Sequence, residues 1–406
     1  MGKKWFYFEN YVYLNMLSPD KVLLYNTLNH VVLTYKNENI YTFIRKLNSV
    51  ENNGVVEFDL AIESQDLCDF ILEVKANFMG DLLSFSDDEN ERKPILFKSD
   101  ILILNEGHMY YDYGKNILHN ITEMTFYING LCMADCEFCN LYYKQFLCCH
   151  KENNSEELKL ESIVSCLESL QESSLLRVNI IGGNIFSYSD FYLLVDKLNL
   201  FSFKKIYKVN LKQIVEISDL YYIMNHSNNM LELICTDLSD LNKIPLIFKE
   251  LKFENLLINI LVQSLDDLER IDKFFDADCF NLLLSPFYNG ENIDFFKNNI
   301  FVCRDELNTV SLSDIKCNYI LNNHFFGSFV CLPNGAIYSG LNDACLGNIL
   351  HDTMASITFE ELNTTNCWLQ VRRNVVPCKN CLYSCLCPPI SNYEKAIGYN
   401  NLCSII

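Results

Sequence analysis

The sequence predicts an α/β protein in which about six parallel strands alternate with helices between residues 121 and 300. Strand-like segments such as TEMTFYI, LLRVNII and LLINILV are separated by helix-like segments such as EELKLESIVSCLESL and DDLERIDKFF. This alternation is typical of parallel strands joined by crossover helices. The pattern fits an open barrel and a doubly wound sheet equally well.

Residues 1–85 predict a smaller α+β unit in front of this core. The apolar segment YVYLNML, a turn at 18–20 and the segment KVLLYNTLNHVVLTYK predict a hairpin. Two helix-like stretches follow, around IYTFIRKLNSV and DLCDFILEVKANFMGDLL. The polar segment FSDDENERKP, which ends in proline, indicates the start of a linker over 86–120.

Residues 301–406 form a third region, in which the periodic pattern fades and short loops with cysteine, glycine and proline take over. A segment with so little apolar periodicity needs metal to hold its shape. We therefore expect a metal-stabilised domain after residue 300.

Charge and hydropathy exclude several classes of function. The chain has 406 residues, with 32 basic against 52 acidic side chains and a net charge of -20, which opposes nucleic acid as a partner. The start, MGKKWFYFENYVYLNML, is interrupted by Glu9 and Asn10 and does not resemble a signal peptide. The longest apolar runs are too short to cross a bilayer. We expect a cytoplasmic protein that has no membrane partner.

The nineteen cysteines indicate metal binding, because a reducing cytosol does not favour disulfides. Four of them stand alone in apolar, periodic surroundings, where a cysteine is usually a small buried hydrophobe: Cys68, Cys166, Cys235 and Cys279. The others fall into two groups, one at 132–149 and one from 303 onwards.

The first group contains the stretch GLCMADCEFCNLYY at 130–143, in which Cys132, Cys136 and Cys139 lie within eight residues. These thiols directly follow the first strand of the alternating region, at its carboxyl end, where open α/β sheets place their ligands. One compact loop can wrap three thiolates around one cuboidal iron-sulfur cluster and leave a fourth iron without a protein ligand. That iron can bind a substrate.

The spacing Cys-x3-Cys-x2-Cys, with Phe138 before the last cysteine, resembles the signature of the radical S-adenosylmethionine (radical SAM) enzymes. The resemblance implies a partial (β/α)6 barrel, and a 4Fe-4S cluster held by the three loop cysteines as the catalytic centre. It also implies that the methionine amine and carboxylate of S-adenosylmethionine chelate the free iron. In that family the 5'-deoxyadenosyl radical abstracts hydrogen from a substrate, so the cofactor carries the difficult chemistry.

Further positions resemble cofactor contacts of the same family. Gly182 and Gly183, in IIGGN, fall where the family has a Gly-Gly-Glu turn that contacts the cofactor's amine, but Asn184 stands in place of the glutamate. An amide oxygen accepts a hydrogen bond without the strength that a carboxylate gives to an ammonium. Thr236 and Asp237, in LICTDLSD, resemble residues near the ribose, and a helix-cap pair is the alternative.

The second group of cysteines resembles the SPASM extension of peptide-modifying radical enzymes, which carries auxiliary iron-sulfur clusters. The resemblance implies that Cys378, Cys381, Cys387 and Cys403 hold an outer cluster. A four-cysteine zinc knuckle is the alternative, because a Cys-x2-Cys pair with two distant cysteines fits it equally.

An inner auxiliary cluster is predicted less completely. Cys331 and Cys345, the latter in Gly340-x4-Cys345, match the pattern, but Ser391 stands where another cysteine is required. A hydroxyl is a poor substitute for thiolate on iron. The candidates to complete this site are Cys317, Cys303, Cys367 and Cys385, of which Cys317 is taken first. Three alternatives stay open: the inner site is incomplete, has other ligands or is absent.

The tail CLYSCLCPPISNYEKAIGYNNLC, with KKWFYFENYVYLNML and LLYNTLN, is similar to the SPASM proteins of the GG-Bacteroidales peptide system, which are encoded beside small double-glycine precursors. Some relatives are called pseudo-radical SAM proteins. The first 85 residues are similar in outline to a winged-helix module that captures leader peptides by adding a strand to its sheet edge.

These resemblances imply a maturase for a ribosomally made precursor peptide (a RiPP), which needs an electron donor. One alternative is a cluster-bearing pseudoenzyme that escorts a precursor to a partner maturase. The other is a zinc-stabilised binding protein.

Overall fold

The structure is a computed structural model that describes residues 3–84, 93, 116–152, 156–245, 247, 255–275, 281–364, 367–399 and 401–405. Of the linker predicted over 86–120, only 93 and 116–120 are described, so most of that prediction lies outside the described residues. The described helices contain none that is both long and apolar enough to span a membrane.

The N-terminal unit consists of two small antiparallel sheets and two helices. Its strands are β1 (Lys4–Phe8), β2 (Val12–Leu17), β3 (Lys21–Asn26), β4 (Val32–Lys36), β5 (Val55–Phe58) and β6 (Gly80–Ser84). One sheet is the meander β2-β3-β4, and the other has the order β5-β1-β6. The helices span Glu38–Leu47 and Gln65–Ala76.

The first helix shows why this sequence folds as it does. Asn37 caps its start, because the side chain accepts hydrogen bonds from the N–H groups of Asn39 and Ile40. Ile40, Phe43, Ile44 and Leu47 are buried, at the spacing of one helical face. The helix therefore packs its apolar face on the strands, as its sequence predicts.

The end of the second predicted helix is a strand instead. The helix ends at Ala76, and Gly80–Ser84 pairs with β1. A Cβ atom at Gly80 would lie 2.5 Å from the carbonyl oxygen of Tyr7, so only glycine allows the two strands to approach this closely. The strands β1 and β5 were also not predicted.

The core contains one nine-stranded sheet. Its strands are β7 (Glu123–Tyr127), β8 (Arg177–Ile181), β9 (Lys204–Asn210), β10 (Asn229–Cys235), β11 (Leu256–Val262), β12 (Leu282–Pro286), β13 (Ser328–Cys331), β14 (Ala336–Tyr338) and β15 (Gly347–Asn348). Helices that follow these strands span Leu160–Ser169, Phe191–Leu198, Ile217–Met224, Leu265–Phe274 and Ile293–Asn299.

The strands β7 to β12 are parallel and neighbour one another in chain order. A doubly wound sheet reverses its strand order, whereas a barrel does not. The structure therefore has six sequential parallel strands, which is the strand order of an open barrel and not that of a doubly wound sheet. The predicted α/β class and its parallel strands are confirmed.

The inner face of these strands carries polar side chains. Asn179 donates to Thr125 Oγ1 over 3.0 Å, and Asn259 donates to Glu232 Oε1 over 2.8 Å. Glu232 is also ion-paired with Lys208. The outer face is apolar and packs against the helices. The barrel interior can therefore bind polar groups.

The region after residue 300 is more regular than its sequence predicts. The helices Leu312–Ile320 and Met354–Thr364 are formed, and a short helix spans Asn392–Ile397. Strand β13 pairs in parallel with β7, β14 pairs antiparallel with β13, and β15 pairs antiparallel with β14. The C-terminal region is thus continuous with the core sheet.

The meander of the N-terminal unit packs on this C-terminal region. Tyr13 and Tyr25 share an apolar cluster with Leu386 and the residues around it. The amide of Asn15 donates to the carbonyl oxygen of Leu382 over 2.7 Å, and the Tyr25 hydroxyl donates to that of Val310 over 2.9 Å. One face of the meander is therefore covered by the cysteine-rich segment.

Candidate functional site

The cysteine loop leaves β7 at the carboxyl end of the sheet and is tied to the end of β8. Gly183 N donates to Asn129 O over 2.8 Å, and the Asn129 amide donates to Asn184 O over 2.9 Å. The loop then passes Cys132 and Cys136, and the helix Cys139–Gln145 begins at the third cysteine. The predicted position of the three thiols at this end of the sheet agrees with the structure.

Gly182 and Gly183 allow the turn after β8 to touch the loop. A Cβ atom at Gly182 would lie 2.7 Å from Asn129 Oδ1, and one at Gly183 would overlap the carbonyl oxygen of Leu131. Any side chain at either position would push the cysteine loop away. The two glycines therefore position the loop, and a contact with a cofactor remains a prediction.

Asn184 uses its side chain locally. Its Oδ1 accepts a hydrogen bond of 3.1 Å from Phe186 N, and its own N–H donates to Leu131 O over 2.5 Å. Asn184 therefore caps the short 3-10 helix Ile185–Ser187. One lone pair of the amide oxygen is already engaged.

This cap gives a stability prediction. Asn184→Ala removes the acceptor of the Phe186 N–H and should lower the free energy of unfolding by about 1 kcal/mol. Asn184→Asp keeps an acceptor, and its free energy of unfolding should lie within about 0.5 kcal/mol of that of the wild type. Urea titration at matched metal content measures both. Equal stability of Asn184→Ala and the wild type would show that the cap contributes nothing.

Each loop thiol receives a hydrogen-bond donor from another segment. Gln213 Nε2 donates to Cys132 Sγ over 3.5 Å, and Lys151 N donates to Cys139 Sγ over 3.3 Å. The Thr236 hydroxyl donates to Cys136. Such N–H and O–H donors stabilise thiolates that bind a metal. The three sulfurs therefore suit a bound metal group. Thr236 lies beside Cys136, and its place near a ribose stays a prediction.

The thiols are partly buried, which affects their protonation. Burial, as the largest cause, and the neighbouring Cys149 raise the pKa of Cys136 to about 11. The Lys212 ammonium acts to lower this pKa. Burial also raises the pKa of Cys139. Without a cation these groups hold their protons, so metal binding must displace protons here.

Several neighbours of the loop belong to none of the motifs found in the sequence. Asn210 Nδ2 lies 3.6 Å from Cys149 Sγ and donates to Thr236 Oγ1 over 3.0 Å. His150 Nδ1 lies 4.0 Å from Cys139 Sγ. Asn210 and Gln213 come at the carboxyl end of β9, and their position after a strand was the signal that could have found them.

Phe138 belongs to an aromatic group beside the loop. Its ring centroid lies 5.3 Å from that of Phe287 and 6.3 Å from that of Tyr142. Cys136 packs against the same group. The aromatic residue in the signature therefore shields the loop from water.

The second candidate site is a cavity in the C-terminal region, and all four cysteines predicted for the outer cluster line it: Cys378, Cys381, Cys387 and Cys403. The chain brings Cys403 back because Val302 N donates to Leu402 O over 2.9 Å and Ser404 N to Val302 O over 3.1 Å. Residues far apart in sequence therefore meet around one space.

The sulfurs in this cavity also receive donors. Tyr383 N donates to Cys381 Sγ over 3.4 Å, and Asn401 Nδ2 to Cys403 Sγ over 3.4 Å. Burial raises the pKa of Cys387 to about 12, against the opposing charge of Arg372. As in the loop, buried thiols with N–H donors suit a bound metal group.

Among the described residues, no three His, Cys, Asp or Glu side chains form a ready-made site for a single metal ion. The iron-sulfur cluster and the zinc knuckle that the sequence offers for these four cysteines both stay predictions.

The three cysteines named first for an inner cluster lie in different surroundings. Cys331 is fully buried in the main apolar core, on the face of β13 that packs against the helices. Cys345 is exposed, and its sulfur lies 3.3 Å from Gly347 O. Cys317 belongs to the helix Leu312–Ile320. These positions favour packing for Cys331 and lend no support to a shared site.

No protein-family model matches the chain, and no curated protein matches it. Solved structures do. Streptococcus suis SuiB bound to its precursor peptide SuiA is 12% identical, with a TM-score of 0.52 over 98% of this chain and 100% of that one. SuiB bound to S-adenosylmethionine is 14% identical, with a TM-score of 0.51 over the same shares.

This chain therefore shares the overall fold of SuiB, which those structures show with a precursor peptide or with S-adenosylmethionine bound. At these identities the similarity concerns the fold. The resemblance predicted from the cysteine spacing is confirmed at that level.

Proposed function

We propose that this protein is a radical SAM enzyme that modifies a ribosomally made precursor peptide. The observation that carries the proposal is the loop of three thiols at the carboxyl end of β7, on a radical SAM fold, with donors from Gln213 and Lys151 aimed at its sulfurs. Bound there, a 4Fe-4S cluster with S-adenosylmethionine would supply hydrogen abstraction by a 5'-deoxyadenosyl radical.

The chain's own residues support this chemistry. The three cysteines hold the cluster, the donors offset charge on its sulfurs, and the group around Phe138 and Phe287 excludes water. Gly182, Gly183, Asn184 and Thr236 lie nearby, and we assign them to cofactor binding. An external donor must supply the electron.

The peptide substrate is supported by the same comparison. SuiB has been solved with its precursor peptide. The polar layer of Lys208, Glu232 and Asn259 inside the barrel of this chain offers charged and amide groups to a peptide. We assign the core peptide to this interior and the leader to the N-terminal unit.

The experiment is anaerobic reconstitution with iron and sulfide, followed by dithionite and S-adenosylmethionine. We expect 5'-deoxyadenosine by mass spectrometry, with iron counted in parallel. Zinc in place of iron would overturn the proposal.

The escort function is a second candidate, and Asn184 favours it. The amide oxygen caps Phe186 N and lacks the charge of the glutamate in the family pattern. A chain that binds iron fully and yields no 5'-deoxyadenosine would be an escort for a partner maturase.

The leader would add a strand to the edge of β4 that pairs with no other strand in the described part of the chain. In the antiparallel pair β3–β4, Asn26 N donates to Val31 O and Asn37 N to Asp20 O. Because bonded and non-bonded pairs alternate, the backbone groups of Val32, Thr34 and Lys36 point away from β3. An extended peptide could pair with them.

Thr34→Pro should therefore weaken binding of a double-glycine precursor peptide by about tenfold or more, because it removes one outward N–H and keeps the bonds to β3. Thr34→Ala keeps that N–H and should bind within about twofold of the wild type. Fluorescence anisotropy with the labelled precursor measures both. Equal binding by all three would place the leader elsewhere.

A further inference from the structure

Arg372 is a buried cation beside the four thiols of the C-terminal cavity. Its side chain is 7% exposed, and its Nη1 lies 3.8 Å from Cys378 Sγ. Nε donates to the carbonyl oxygen of Pro388, and Nη2 donates to that of Pro389 over 3.2 Å. Contacts on all three nitrogens fix the guanidinium in one orientation.

The counter-charge of Arg372 is the carboxylate of Glu394. Glu394 Oε1 lies 2.6 Å from Nη1, and its side chain is 2% exposed. Ser391 N donates to the other carboxylate oxygen over 2.6 Å. Arg372 lines the cavity together with the cysteines, whereas Glu394 does not. The guanidinium is therefore the member of the pair that borders the thiols.

We propose that Arg372 sets the reduction potential of an iron-sulfur cluster in this cavity, as a positioning residue that holds a fixed positive charge against the sulfur of Cys378. This inference rests on the proposed function and, with it, on an iron-sulfur cluster held by the four cysteines that line the cavity. Reduction adds one negative charge to a cluster, and a nearby cation stabilises that charge.

A guanidinium is suited to this task. It stays protonated at any physiological pH, so its effect does not vary with the pH of the cell. Burial protects the interaction from screening by salt. A lysine would supply the charge but could not bond two carbonyl groups and the carboxylate in one plane.

The sign of the effect distinguishes this role from simple packing. Arg372→Gln removes the positive charge, so the ratio of reduced to oxidised cluster at a fixed potential should fall about tenfold, which is about 59 mV for a one-electron couple. Glu394→Gln leaves the cation uncompensated and should shift the potential upward. A packing defect would not produce opposite signs.

The measurement is a redox titration followed by electron paramagnetic resonance. It is carried out on the full chain in which Cys132, Cys136 and Cys139 are replaced by alanine, so that only the C-terminal cluster contributes. Iron is counted first. The matched control is Arg373→Gln, because Arg373 lies over the Tyr319 ring at 3.8 Å and is not among the residues that line the cavity.

Arg372→Gln leaves Glu394 buried without its partner, which can destabilise the fold. The double variant Arg372→Gln, Glu394→Gln removes both charges and should still lower the potential, because the arginine is the nearer of the two to the sulfurs. Potentials unchanged from the control in all three variants would overturn the inference while the cluster assignment stands. A cavity that binds no iron would overturn both.

Discussion

Alanine at Cys132, Cys136 or Cys139 is expected to abolish 5'-deoxyadenosine formation by the reconstituted protein. Each thiol is supplied by the same short loop, and each receives a separate donor, so no neighbour can replace one without moving the chain. A cluster held by two thiolates is open to loss of iron. Mass spectrometry of the product, with iron counted beside it, measures the effect.

The matched control is Cys166→Ala. Cys166 is 7% exposed and lies in the main apolar core on the helix Leu160–Ser169, and it was predicted from sequence to be a packing residue. The Cys166→Ala protein should bind as much iron as the wild type and form as much 5'-deoxyadenosine. Product that persists in Cys136→Ala would refute the assignment of the loop.

The second large effect concerns the C-terminal cavity. Alanine at Cys378, Cys381, Cys387 or Cys403 should each remove the same amount of iron, roughly four atoms per chain, because all four line one space and one cuboidal cluster needs them all. Iron analysis and the visible spectrum of the reconstituted variants measure this.

Cys385→Ala is the control for these four variants. Cys385 lies in the same segment and is 2% exposed, but it packs against the N-terminal meander and does not line the cavity. It should bind iron as the wild type does. Unequal losses among the four would mean that the ligand set is wrong.

The core strands could be predicted because their sequence is locally sufficient. LLINILV is apolar except for Asn259 and forms β11, and TEMTFYI alternates and forms β7. Strand β5 has only four residues and carries too little pattern. The leucines of β6 continue the apolar spacing of the preceding helix, so the sequence predicts more helix there. The strand forms because Gly80 lets the chain come close to the carbonyl oxygen of Tyr7 in β1, a contact that the local sequence does not reveal.

The candidate functional sites could also be predicted only in part from the sequence. The spacing of Cys132, Cys136 and Cys139 identifies a loop, since neighbouring residues in sequence are neighbours in space. Gln213 is a single polar residue about eighty positions away, and its contact with Cys132 depends on the packing of whole strands. Cys331 matches the inner-cluster spacing, but the alternation of side chains along β13 turns it into the core.

The pairing of β13 with β7 has a consequence for how this protein can be divided. Four consecutive residues of each strand are partners, and Thr122 N and Glu123 N both donate to Gly327 O. Removing the chain after residue 300 would leave the first barrel strand with an unpaired edge, which favours aggregation. The barrel and the cysteine-rich tail are therefore two regions of one cooperative unit. Neither region could be replaced by the corresponding region of another protein without disturbing the other.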